Sequence, residues 1–222
     1  MREPPFKTIL KPYGEALLAL ARQRPEIVCL GADLTRQTET DIFRDSLPDR
    51  FLNIGMAEAN MISIAGAMAR EGHVVFVNTF GVFCTRRCYD QIAMAVAYPN
   101  VNVKIVGFMP GLSSPGGPSH QAIEDVALMR ALPTMLVVAP ADATEVRQAV
   151  QAVADHPGPV YLRLKRVLAP LEAEIDRAGV VGDRLHRLPD FRRICRIDDQ
   201  HVGKSAHQRD VLDRLMARAA GA

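Results

Sequence analysis

An α/β three-layer sandwich with a mainly parallel sheet is the fold class this sequence predicts, on three observations. Short, continuously apolar runs recur at residues 27–30, 73–77, 101–108 and 160–164. Segments with apolar residues at helical spacing separate them, at 13–22, 57–70, 84–98 and 143–154. Polar clusters follow the strand-like runs. Uninterrupted apolar strands read as covered on both faces, and strands alternating with helices read as parallel units joined by crossovers. With 48% hydrophobic residues among 222, the chain can bury a sizeable core.

The elements follow in order. Residues 13–22 make the first helix, Pro25 stops it, and Ile27-Val28-Cys29-Leu30 is the first strand. Residues 51–54 read as a short strand. The helix at 57–70 is apolar on almost every side, which predicts burial between layers or subunits. A strand at 73–77 precedes a helix at 84–98, closed by Pro99-Asn100. The strand at 101–108 runs into a loop, 109–120, whose glycines and prolines exclude regular structure. A helix at 124–131, a strand at 135–139, a helix at 143–154 and a strand at 160–164 complete the pattern. Chemistry in such sheets gathers beyond the carboxyl ends of strands. The polar clusters at 33–37, 55–58, 78–83 and the loop ending in His120 lie there.

After Arg166 the character changes to many Arg and Asp, weak strand signals and one better helix at 209–219. The expected organisation is an α/β domain over 1–166 and an unassigned tail over 167–222, which a truncation or an altered reading frame would explain.

A net charge of +2 with 23% charged residues gives no electrostatic case for nucleic acid or an anionic membrane as partner. The start leads into no apolar signal core and no apolar run is long enough to span a bilayer, so a cytoplasmic home is expected. Cys29, Cys84, Cys88 and Cys195 form no C-x-x-C pair and lack zinc-type histidine spacing. Cys84 and Cys88 would share a helix face, within reach of a metal or disulfide, but buried small residues in a reducing compartment are the expectation.

Four stretches in register carry a resemblance: Gly31-Ala32-Asp33-Leu34; Asn53 to Met61; Asn78-Thr79-Phe80-Gly81-Val82-Phe83 with Tyr89-Asp90-Gln91-Ile92; and Ser119-His120-Gln121-Ala122-Ile123-Glu124. Together they resemble the pyrimidine-binding domain of transketolases, especially the small subunit of forms split over two genes. Residues 140–142 and 159–163 continue the likeness, which runs from near Lys11 to Arg166. It implies thiamine diphosphate as cofactor and transfer of a two-carbon ketol group from a ketose to an aldose, with phosphorylated pentoses or hexoses as the expected substrates. By the same likeness Glu58 holds N1′ of the aminopyrimidine ring and exchanges a proton there, as a carboxyl in a dry site can. Phe80 and Phe83 would pack on that ring, and Asp33 would support the cofactor pocket or a subunit contact. His120 would face the sugar, and Arg166 would grip its phosphate.

Each residue also has a plainer reading. Glu58 suits a first-turn glutamate facing a helix dipole, Phe80 and Phe83 suit core packing, and Asp33 suits a strand-end turn. Two positions depart from the family: Gly116 stands where an acidic residue touches the donor, and Leu10 where many members have arginine. The family's Gly-Asp-Gly segment, which with a later Asn binds diphosphate and Mg2+, is missing from this sequence. A diphosphate-binding partner subunit holding the Mg2+ is therefore expected, with homodimerisation inside a heterotetramer. Readings left open are the beta subunit of a 2-oxo acid dehydrogenase, a deoxyxylulose phosphate synthase-like enzyme, and a truncated remnant without turnover.

Overall fold

The computed structural model describes residues 7–8, 11–112, 114, 116–165 and 170–171. In chain order the elements are β1 (Lys7–Thr8), α1 (Pro12–Gln23), β2 (Ile27–Gly31), α2 (Asp41–Ser46), β3 (Phe51–Asn53), α3 (Glu58–Arg70), β4 (Val74–Phe80), α4 (Tyr89–Gln91), β5 (Val103–Phe108), α5 (Asp125–Arg130), β6 (Leu136–Val138), α6 (Ala143–Asp155), β7 (Val160–Leu164) and β8 (Pro170–Leu171). Two compact units separate. The larger is Leu10–Val167, and the smaller includes the antiparallel pair β1 and β8. Apart from that pair, the expected tail lies outside the described residues, as do Arg166, Leu10 and Cys195.

Six strands of the larger unit form one all-parallel sheet in the order β3-β2-β4-β5-β7-β6. Strand side chains alternate between two faces, and each face has its own core. Ile27, Cys29, Val74 and Phe76 point to the side covered by α1 and α6, where Tyr13, Leu17, Val146 and Val150 are buried. Val28, Leu30, Val75 and Val77 point to the side covered by α3 and the segment after α4, with Met61, Ile62, Ala65, Ile92 and Val96. The predicted α/β sandwich is the fold, and its strands are apolar throughout because both faces are covered.

One difference from the sequence reading has a local cause. The single helix expected at 84–98 is instead a turn at 81–85, a 3₁₀ turn at Arg86–Cys88, the short α4, and a π-helical stretch at Ile92–Ala97. Close packing accompanies that winding: a Cβ at Gly66 of α3 would lie 2.4 Å from the Ala95 carbonyl oxygen, so only glycine fits. Within this single chain α3 buries Met61, Ile62, Ala65 and Gly66, while Ser63 and Ala67 lie on its other side. Cys29, Cys84 and Cys88 are buried free thiols, and burial pushes the Cys88 thiol up to about 12.

Lys104 is an exception within the core. It sits on the central strand β5, fully buried, and its Nζ donates to the carbonyls of His156 (2.6 Å) and Gly158 (2.7 Å). Burial, with a smaller contribution from the Arg24 charge, lowers its amine to about 7. An unfolded lysine titrates near 10.4. Between these values the unfolded chain binds more protons than the folded one, so stability rises with pH across that window and falls as Lys104 charges near 7. Urea unfolding at pH 7 and pH 9 should differ by about 2 kcal/mol more in the native chain than in Lys104→Met. Equal pH slopes in the two proteins would mean that Lys104 stays charged in the fold.

Candidate active site

The chain leaves β2 toward β3 on one side, and α3 returns it to β4 on the other. A crevice at the carboxyl ends of β2 and β4 follows from that reversal. The segments after β2, β3 and β4 carry Asp33, Glu58 and the Phe80–Phe83 turn.

Glu58 opens α3. The turn before it depends on Gly55 at φ 76°, and the N-cap, Ala57, offers no side chain to the free N–H groups. A carboxylate in the first turn complements that positive helix end. Glu58 is only 2% exposed, and both its oxygens accept from Nη1 of Arg87 at 3.0 Å.

Phe80 ends β4. A tight turn, with the Phe83 N–H donating to the Phe80 carbonyl at 2.9 Å and Thr85 Oγ1 to the Gly81 carbonyl at 2.6 Å, brings Phe83 back over it. The two rings are stacked, 5.9 Å apart at 24°. His120 meets both edge-on, 5.3 Å from Phe83 and 6.2 Å from Phe80. Its Nδ1 lies 2.9 Å from Ser119 Oγ. The imidazole occupies space that a side chain at 116 would need, since a Cβ on Gly116 would come within 2.9 Å of it. The space beside Gly116 is thus filled by the histidine ring.

Asp33 stands apart from the aromatic group. It is exposed, with φ 59°, and exchanges hydrogen bonds with Asn53: Nδ2 to Asp33 Oδ1 at 2.6 Å, and the Asp33 N–H to Asn53 Oδ1 at 3.1 Å. Asn53 Oδ1 also accepts from the Gly55 N–H at 3.2 Å, so Asp33 fixes the turn that leads to Glu58. Of the sequence-predicted residues, the structure therefore gathers Phe80, Phe83 and His120 directly, Glu58 through Arg87, and Asp33 behind the turn. Arg166 lies outside the described residues.

Arg87 is the residue that sequence reasoning missed. Besides its bond to Glu58, its guanidinium carbon lies 3.9 Å from the Phe83 ring centroid. Its neighbour Arg86 instead pairs with Glu124 at 2.9 Å. The one local signal was a pair of arginines, Arg86 and Arg87, shortly after Phe80 and Phe83 in an otherwise largely apolar stretch.

A second group lies beneath the His120 loop. Asp125, fully buried at the start of α5, accepts from Tyr161 Oη at 2.8 Å and Arg163 Nε at 2.7 Å. It holds the C-terminal end of the loop against β7.

Residues 7–172 match the family described as transketolase, pyrimidine binding domain. The chain belongs to that transketolase family. It is 47% identical over 163 residues to the transketolase family protein y4mN of Sinorhizobium fredii, covering 73% of this chain and 47% of the relative. It is 40% identical to the 6-deoxy-6-sulfo-D-fructose transketolase subunit SqwH of a Clostridium species, covering 69% of this chain and 48% of that one. A solved split-gene transketolase, an inactive beta4 tetramer, superimposes with a TM-score of 0.66 at 43% identity, over 72% of this chain and 52% of that one. The chain spans about half the length of these relatives.

The family implies thiamine diphosphate, and the residues present fit its aminopyrimidine. A planar, N–H-donating cation already rests between the Glu58 carboxylate and the Phe83 face, in the form of the Arg87 guanidinium. A flat nitrogen heterocycle needs the same two partners.

Proposed function

We propose that this chain is the pyrimidine-binding subunit of a two-subunit transketolase, transferring a two-carbon ketol group from a ketose phosphate to an aldose phosphate. The observation that carries this reading is Glu58, a carboxylate with 2% exposure at the crevice, with Phe83 and His120 beside it. Bound thiamine diphosphate supplies the electron sink for the two-carbon carbanion. Glu58 holds the ring nitrogen N1′ and moves a proton to and from it, in a site dry enough for the carboxyl to act as acid and base. Phe80 and Phe83 give the ring its apolar faces, and Asp33 steadies the turn that aims Glu58. His120, half-buried at the rim, binds a substrate hydroxyl through its ring nitrogens. Arg166 is assigned to the substrate phosphate by family likeness alone.

The diphosphate and Mg2+ are assigned to a partner subunit, because the sequence has no Gly-Asp-Gly segment. Relatives whose names call them transketolase subunits support a two-subunit assembly; the form proposed for it is a heterotetramer with two copies of this chain. Identity of 34–47% to transketolase-family proteins, against 31–32% to deoxyxylulose phosphate synthases, supports ketol transfer.

Co-expression with a subunit that carries Gly-Asp-Gly and the later Asn should give ketol transfer between pentose phosphates, and each chain alone should give none. By calorimetry the isolated chain should bind thiamine diphosphate far more weakly than the complex does. Magnesium-dependent, micromolar binding to the isolated chain would overturn the assignment of the metal to the partner.

A further inference from the structure

Arg87 occupies both partners that the proposed cofactor ring would need. Nη1 donates to both Glu58 oxygens at 3.0 Å, and the guanidinium stacks on Phe83 at 3.9 Å. Glu58 is buried and Arg87 about half exposed, so the guanidinium is the outer cap of an inner carboxylate. The arrangement is compact and flat, and it offers N–H donors to the carboxylate with a π face below, as a protonated aminopyrimidine edge would. A carboxylate this enclosed needs a charged or hydrogen-bonding partner at all times. The two candidates for that place cannot share it: both want the same oxygens and the same ring face. Arg87 has somewhere to go, since its side chain already reaches solvent, and its neighbour Arg86 shows an outward pairing, to Glu124.

We infer that Arg87 is an affinity-determining residue of this site, an internal ligand that fills the pyrimidine seat until the ring displaces it. The inference rests on the reading of Glu58 and Phe83 as that seat. Its consequence is selectivity: only a ligand with both a flat face and an N–H edge recovers what the displaced guanidinium gave up. Ligands with one of these features leave Arg87 in place.

Unphosphorylated thiamine tests this on the full chain, because it carries the aminopyrimidine without the diphosphate that the partner is assigned to hold. Its binding is followed by NMR titration in the native chain, Arg87→Ala and Arg87→Met; the methionine keeps an unbranched chain over Phe83 while removing the charge. Circular dichroism melts establish that each variant is folded. Removing one half-exposed ion pair and one cation–π contact from the competition should tighten thiamine binding about tenfold in Arg87→Ala, and less in Arg87→Met, whose chain still covers Phe83. Added methylguanidinium should compete with thiamine in Arg87→Ala, and Glu58→Gln in that background should abolish binding. Binding by both variants no tighter than native, including none in any protein, would overturn the inference. If native binding is then still lost on Glu58→Gln, the pyrimidine seat stands and only the internal ligand falls. Tightened binding that is indifferent to Glu58→Gln would remove the seat itself, and the inference with it.

Discussion

Glu58→Gln is expected to leave the fold intact and to cut turnover of the assembled enzyme by about two to four orders of magnitude, the usual worth of positioned acid–base help. The two side chains are nearly isosteric, so α3 and its packing on Met61 and Ile62 should survive. The difference is chemical: an amide N–H can donate a hydrogen bond to N1′ but does not exchange a proton with it. The substitution also weakens the pair with Arg87, because only one of the two atoms that now accept from Nη1 remains an acceptor. With the diphosphate assigned to the partner subunit, the cofactor should stay bound in the assembled enzyme while catalysis fails, even though the ring alone loses its main anchor. The measurement is hydrogen–deuterium exchange at C2 of the bound cofactor, beside steady-state turnover. Exchange near the native rate in Glu58→Gln would take the central role away from Glu58.

Much of this fold was legible because a doubly covered parallel strand has a signature that few alternatives share. Runs such as Ile27-Val28-Cys29-Leu30 have no polar face to give away, and the sheet buries both sides of them. The strand β7 was expected at 160–164 and lies at Val160–Leu164. The aromatic pair and His120 were legible from motif order, and the structure brings their rings together. What escaped was the pairing of charges across long separations. Arg87 and Glu58 are 29 residues apart, and nothing local distinguishes an arginine that turns inward from one on a solvated face. The π-helical register of Ile92–Ala97 escaped for a related reason: it accompanies a contact between Gly66 and Ala95, not the apolar period of its own sequence. The helix α2 at Asp41–Ser46 was not expected either, since six residues with a single buried side chain, Phe43, show no period.

Asp125→Ala should be among the most destabilising single substitutions in the α/β unit, by about 3–5 kcal/mol, the cost of removing one partner from a buried ion pair. The carboxylate is wholly enclosed and accepts from Tyr161 Oη and Arg163 Nε, with Arg163 Nη2 at 3.4 Å. Without it, the Arg163 charge, only 15% exposed, loses its counter-ion, and the buried Tyr161 hydroxyl loses its acceptor. Burial first, with the nearby Asp125 carboxylate adding to it, holds the Tyr161 hydroxyl well above its ordinary range, so it stays a donor that must be satisfied. Rearrangement has little room, because a Cβ at Gly107 would already lie 2.6 Å from that hydroxyl. Asp125→Asn keeps one acceptor oxygen and should cost less than the alanine. Urea unfolding of Asp125→Ala, Arg163→Met and the double variant completes a cycle. If the pair acts as a unit, removing both partners should cost clearly less than the sum of the singles. Additive costs would mean that the two residues contribute separately. The same cycle reaches the site, since Asp125 starts the helix that follows the His120 loop and a Cβ on Gly111, near that loop's other end, would meet Arg163 Nη2 at 3.3 Å. In the assembled enzyme the loosened loop should therefore raise KM for the sugar more than it lowers kcat, because the role proposed for His120 is to bind the substrate and Glu58 is untouched.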